Sequence, residues 1–129
     1  MARILVVDDD AAVRDSIQTI LTLDGYDLVE AENGRYCEAE IGRRPPDLII
    51  LDIFMPDRDG IETIRSVRRT HPHLKILAIS GTVGGQLEQA LAFAQEFGAD
   101  AVLHKPFAPE LLRTTVRSLL KPAALTANG

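Results

Sequence analysis

The sequence predicts an α/β domain on a doubly wound, five-stranded parallel sheet, and three observations predict it. Short β-rich apolar runs recur at Ile4-Leu5-Val6-Val7, Leu48-Ile49-Ile50-Leu51, Ile76-Leu77-Ala78-Ile79 and Ala101-Val102-Leu103. Their length and continuity are those of buried strands. Segments with helical apolar spacing alternate with them, and regular βα alternation implies a parallel sheet with helices on both faces. Each of these runs also ends in polar groups: Asp8-Asp9-Asp10, Asp52, Ser80 and, after His104, Lys105-Pro106. In an open parallel sheet, residues just past the carboxyl ends of the strands line the ligand crevice.

Each element follows from local pattern. Strand one spans about Arg3 to Val7. A helix follows from about Ala11 to Leu23, with Val13, Ile17, Ile20 and Leu21 on one stripe and Gly25 as its stop. Tyr26 to Ala31 reads as strand two, and Asn33-Gly34 opens a short second helix that ends before Pro45-Pro46. Leu48 to Leu51 is strand three, apolar throughout as a central parallel strand is. Pro56 to Gly60 is a turn cluster, and Ile61 to Thr70 carries Ile61, Ile64 and Val67 at helical spacing before Pro72 breaks it. Strand four covers Lys75 to Ile79. The loop Gly81 to Gly85 holds three glycines, which predict low local order. Helix four covers about Gln86 to Phe97 and stops at Gly98. Strand five is Ala101 to His104, and Pro109 starts helix five, which runs to about Leu120. Right-handed crossovers leave few topologies, of which the flavodoxin-like order 2-1-3-4-5 suits five strands, with five helices on both faces.

At 129 residues the chain suits one domain with a single core. The reading places that domain at residues 1–121 and leaves 122–129 as a short flexible tail. A net charge of -5 argues against a nucleic-acid-binding surface, which leaves a basic footprint. Arg43-Arg44 and Arg68-Arg69 are too short for basic patches and read as solvated helix ends. Cys37 is the only cysteine, so no intrachain disulfide forms; it reads as an inert small hydrophobe, compatible with a reducing cytoplasm. No segment is long enough to insert in a membrane, the first apolar run meets Asp8 too soon for a signal peptide, and Met1-Ala2 lacks a myristoylation glycine. These features predict a soluble cytoplasmic protein.

The carboxyl edge is the chemical core of the sequence. It gathers three carboxylates, a hydroxyl and an ammonium, and carboxylates that close repel one another unless a cation holds them. The arrangement asks for a divalent metal and an anionic ligand. Asp10, directly before Ala11, fits the N-cap of the first helix and is given no metal role.

The combination Val6-Val7-Asp8-Asp9, Leu51-Asp52-Ile53-Phe54-Met55-Pro56 with Asp59-Gly60, Ala78-Ile79-Ser80-Gly81 and Lys105-Pro106-Phe107 resembles the receiver domain of two-component response regulators. No single piece is specific, but their order and spacing fit from about Ala2 to Leu120. The resemblance implies that Asp52 is the phosphoacceptor, a carboxylate nucleophile that forms an acyl phosphate. It implies Mg²⁺ bound by Asp9, Asp52 and the backbone carbonyl of Phe54, with Asp8 acting through a metal-bound water. Ser80 would hydrogen-bond a phosphoryl oxygen, Lys105 would neutralise the transferring group, and Pro106 would follow a cis peptide bond that aims Lys105 inward. The partners implied are a histidine kinase or a histidine phosphotransfer protein, together with a downstream protein engaged through helix four, strand five and helix five. Such a chain is a switch and not a turnover enzyme.

Departures from the family pattern shape further expectations. Val102 stands where an aromatic switch residue is usual, which puts the usual readout in doubt. Phe54 stands where a polar residue is common and is expected to shield the acyl phosphate from water. Phe93, opposite the Leu87, Leu91 and Ala94 stripe of helix four, reads equally as a partner contact or an isolated surface aromatic. His104 reads as structural or solvated. The alternative reading is a haloacid-dehalogenase-like aspartyl phosphatase using Asp8 within Asp8-Asp9-Asp10. It leaves Asp52 without a role and the chain with little room for a substrate cap. A flavodoxin-like cofactor carrier would need a phosphate loop after strand one, where this chain has carboxylates.

Overall fold

Five short strands, the central ones rich in valine, isoleucine and leucine, pair as one parallel sheet in the order β2-β1-β3-β4-β5. The computed structural model describes residues 2–53, 60–81, 92, 94–96 and 98–121. In chain order the elements are β1 (Arg3–Val7), α1 (Ala11–Thr22), β2 (Asp27–Ala31), α2 (Gly34–Arg43), β3 (Leu48–Asp52), α3 (Gly60–Thr70) and β4 (Lys75–Ser80). Helical residues 92 and 94–96 mark α4. The chain then forms β5 (Ala101–His104) and α5 (Pro109–Leu119).

The period-two alternation of the strands divides the core into two layers. Leu5, Val7, Ile49, Leu51, Ile76 and Ala78 pack with Cys37 and Ile41 of α2 and with Ile64 and Val67 of α3. Their neighbours Ile4, Val6, Leu48, Ile50, Leu77 and Ile79 pack with Ile17 and Leu21 of α1 and with Leu112 and Val116 of α5. β3, covered on both faces, is buried at every position. Cys37 is fully buried, as its reading as a small hydrophobe requires.

Local signals set the helix ends. Asp10 is the N-cap of α1, its carboxylate accepting the Ala12 N–H at 2.9 Å. Asn33 caps α2 in the same way through the Tyr36 N–H. Gly25, with φ +81°, follows α1, and Pro109 occupies the first turn of α5. Boundaries move by a residue or two: α1 ends at Thr22, β2 begins at Asp27 and β4 runs on to Ser80. Gly60, read as the end of a turn cluster, is the first residue of α3. The turn residues 56–59, the loop 82–85, most of the predicted helix four with Phe93, and the tail 122–129 lie outside the described residues. Among the described residues no helix is long and apolar enough to cross a membrane.

One expectation is corrected. Arg68 is no solvated helix end. Its guanidinium donates to the carbonyls of Gly98, Pro72 and Leu74 and pairs with Asp100 at 3.0 Å. A planar, multi-donor head can satisfy several carbonyls at a helix C-terminus at once, which makes the residue a clasp between α3, the start of β4 and the loop before β5.

Candidate functional site

The acidic pair begins where β1 ends. Asp8 lies one residue past the strand, and its N–H still donates to Ala31 O of β2 at 3.2 Å. Parallel pairing sets Val7 beside Leu51, Asp52 beside Ile79 and Ser80 beside His104. The functional ends of β1, β3, β4 and β5 therefore share one edge of the sheet. Asp8, Asp52 and Ser80 are at most 5% exposed, whereas Asp9 faces solvent. Carboxylate oxygens of Asp8, Asp9 and Asp52 lie within 4.8 Å of one another.

Lys105 completes the cluster. Its backbone N–H donates to Ser80 O at 2.7 Å, and the Lys105-Pro106 peptide bond is cis, as the sequence resemblance implies. Its ammonium donates to Asp8 Oδ2 at 2.9 Å and to Asp52 Oδ2 at 3.3 Å. Burial alone lowers the pKa of this amine. The hydrogen bond to Asp8 and the charges of Asp52 and Asp8 outweigh burial and raise it, so Lys105 is an ammonium at neutral pH. Asp8 Oδ1 accepts the Asp10 N–H at 2.9 Å, which fixes the orientation of that carboxylate.

Two supports of the site are not evident in the sequence. A Cβ built on Gly60 would collide with Ile53 Cα and stand 2.6 Å from the Asp52 carbonyl oxygen. Glycine therefore lets α3 begin directly against the backbone that carries Asp52. Arg14, one turn into α1, donates to the Asp8 carbonyl at 2.6 Å. An arginine one helical turn after an aspartate run is the only signal the sequence offers for it. Phe54, whose carbonyl is expected to join the metal site and whose ring is expected to shield the acyl phosphate from water, lies outside the described residues. Val102 is half-buried against the core, and His104 is exposed.

The residues present fit a hard divalent cation. Three carboxylates offer oxygen donors, Mg²⁺ prefers oxygen, and a single ammonium leaves the cluster with surplus negative charge. Fold and site together define an α/β protein with an acidic pocket at the carboxyl edge of its sheet. The chain belongs to the response regulator receiver domain family, which matches residues 4–117. It is similar to the response regulator MprA of Mycolicibacterium vanbaalenii, 41% identical over 119 residues that make up 92% of this chain and 50% of that protein. MprA of Mycobacterium leprae is 40% identical over 119 residues, 92% of this chain and 51% of its own. The chain thus spans about half the length of these relatives. Among solved structures, a CheY-like receiver domain protein from Methanospirillum hungatei superposes with a TM-score of 0.86 at 29% identity, covering 100% of this chain and 99% of that one. NtrX from Brucella abortus gives 0.87 at 32% identity, covering 98% of this chain and 29% of that one.

Proposed function

We propose that this chain is a phosphorylation-dependent switch of a two-component system, acting in the cytoplasm, with Asp52 as phosphoacceptor. A phosphoryl group arrives on the histidine of a kinase or phosphotransfer protein, or on a small acyl phosphate. An Asp52 carboxylate oxygen attacks phosphorus, the new P–O bond forms as the bond to the donor breaks, and the donor leaves with its electron pair. Lys105 balances the charge of the transferring group, and Ser80 donates a hydrogen bond to one of its oxygens. Mg²⁺, held by Asp8, Asp9, Asp52 and the Phe54 carbonyl, would supply charge neutralisation at the phosphoryl oxygens. Hydrolysis reverses the state: water attacks phosphorus, the bond to Asp52 breaks, and carboxylate and inorganic phosphate are released. The phosphoryl group draws Ser80 and its loop inward, and the face formed by α4, β5 and α5 changes its affinity for a downstream protein.

The observation that carries this reading is the Lys105 ammonium bridging Asp8 and Asp52 within a cluster of three carboxylates. Asp8 commits one oxygen to Lys105 and the other to the Asp10 N–H, which suits a fixed supporting carboxylate better than the nucleophile of a haloacid-dehalogenase-like phosphatase. Intact mass after incubation with Mg²⁺ and a small acyl phosphate tests the assignment. A single phosphoryl adduct is expected that Asp52→Ala abolishes. An adduct that survives Asp52→Ala and disappears in Asp8→Ala would transfer the role to Asp8.

A further inference from the structure

We infer that Arg14 is a positioning residue for the acidic site, acting through the peptide plane between Asp8 and Asp9; the inference rests on the metal reading proposed above. The carbonyl that Arg14 grips and the N–H of Asp9 belong to one planar peptide unit. The two α-carbons flanking that plane carry two of the three clustered carboxylates. Turning the plane therefore turns both.

The plane sits at a vulnerable place. Asp8 is beyond the last residue of β1, and the ladder to β2 ends with the bond from its N–H to Ala31 O. Arg14 Nη1 supplies the partner for the following carbonyl at 2.6 Å. Arg14 is itself held from the opposite side, its Nε donating to Glu30 Oε1 of β2 at 2.8 Å. The Arg14 side chain is only 15% exposed and its guanidinium is bonded at both ends, so it is a fixed fork and not a mobile surface charge. Glu30 is paired in register with Val6 of β1, two residues before Asp8. Glu30, Arg14 and the Asp8 carbonyl thus form a relay of two hydrogen bonds from the edge strand to the acidic pair. Each end uses a different guanidinium nitrogen, a geometry that lysine's single ammonium does not reproduce.

Groups that orient metal ligands without touching the metal commonly change metal affinity by tenfold or more when removed. The test is a Mg²⁺ titration followed through the amide resonances of Asp9 and Asp52, at a temperature where every variant is fully folded. Arg14→Ala is expected to weaken Mg²⁺ affinity about tenfold. Arg14→Lys, which keeps the charge but not the fork, is expected to bind nearly as poorly, and Glu30→Gln to fall between. Arg113→Ala removes a comparably bonded arginine that joins α1 to α5 through Asp24 away from the acidic cluster, and is expected to bind Mg²⁺ as the parent does despite reduced thermal stability. Unchanged affinity in Arg14→Ala, or full rescue by Arg14→Lys, would overturn the inference and leave the metal reading standing. Equal weakening in Arg113→Ala would overturn it as a general stability effect. A parent chain that binds no Mg²⁺ would overturn both.

Discussion

The two edges of the sheet use the same kinds of residue to opposite ends. At the amino edge charges meet partners. The Arg3 N–H donates to Asp47 at 2.8 Å, and the Arg3 guanidinium lies 3.9 Å from Asp27 and 4.0 Å from Glu40. There Arg68 clasps three carbonyls and Asp100, whose carboxylate also accepts the Ile76 N–H. At the carboxyl edge Asp8, Asp9 and Asp52 share the ammonium of Lys105. Apart from Arg3 Nε, which is buried without a hydrogen-bond partner among the described residues, these amino-edge charges are paired and add stability. Those at the carboxyl edge are left in negative surplus, a debt to stability that a divalent cation can settle.

Substitutions can break this contrast, and the largest effect is expected at Gly60. Gly60→Ala places a methyl group against the Asp52-Ile53 backbone and is expected to cost about 3 kcal/mol in urea denaturation. It should also slow adduct formation at Asp52, because the backbone that must yield carries the nucleophile. At the amino edge, Arg68→Ala is expected to cost about 2 kcal/mol through loss of its hydrogen bonds to partly buried carbonyls. Phosphoryl adduct yield by mass should remain that of the parent. A drop in yield would show that the two edges are coupled.

A change of sign sharpens the contrast further. Asp9→Asn removes one charge from the surplus and is expected to stabilise the metal-free chain by about 1 kcal/mol. Added Mg²⁺ should then raise the Tm of the parent but not of Asp9→Asn. Asp100→Asn, the same chemical change at the matched edge, should destabilise. The smallest effect is expected at the fork between Asp24, after α1, and Arg113 of α5, where both carboxylate oxygens are bonded at 2.7 and 3.0 Å. The hydrogen bond from Arg113 lowers the Asp24 pKa below its ordinary 3.8. A lowered folded-state pKa contributes stability above the unfolded value and loses it as pH falls through the folded one. The Tm gap between the parent and Asp24→Asn should therefore be full at pH 7 and close progressively below 3.8.

Local features were legible in the sequence because local chemistry produces them. Asp10 caps α1, Asn33 caps α2, Gly25 adopts positive φ after α1, and Pro109 begins α5, each within a few residues of its cause. Asp8, Asp9, Asp52, Ser80 and Lys105 were legible as a group because parallel strands must deliver their carboxyl ends to one side. Residues acting across the fold were not. Arg68 reaches Gly98, thirty positions away in sequence, and its neighbour Arg69 is exposed, so the pair gives no sign of which member turns inward. Gly60 looked like a turn glycine, since only the approach of α3 to β3 reveals what a side chain there would strike. Arg14 was hidden because its partner is a carbonyl, and every residue has one.

Cys37, fully buried on the inner face of α2 and the chain's only cysteine, gives the molecule an internal clock. A thiol reagent can reach it only when α2 lifts from the sheet, so under rapid reclosing the labelling rate measures the free energy of that opening. A second cysteine installed on the surface would react at once and carry a probe, while the native thiol stays silent until the fold opens. One chain can thus report its conformational state and its integrity in the same experiment, by fast and slow modification of two sulfurs.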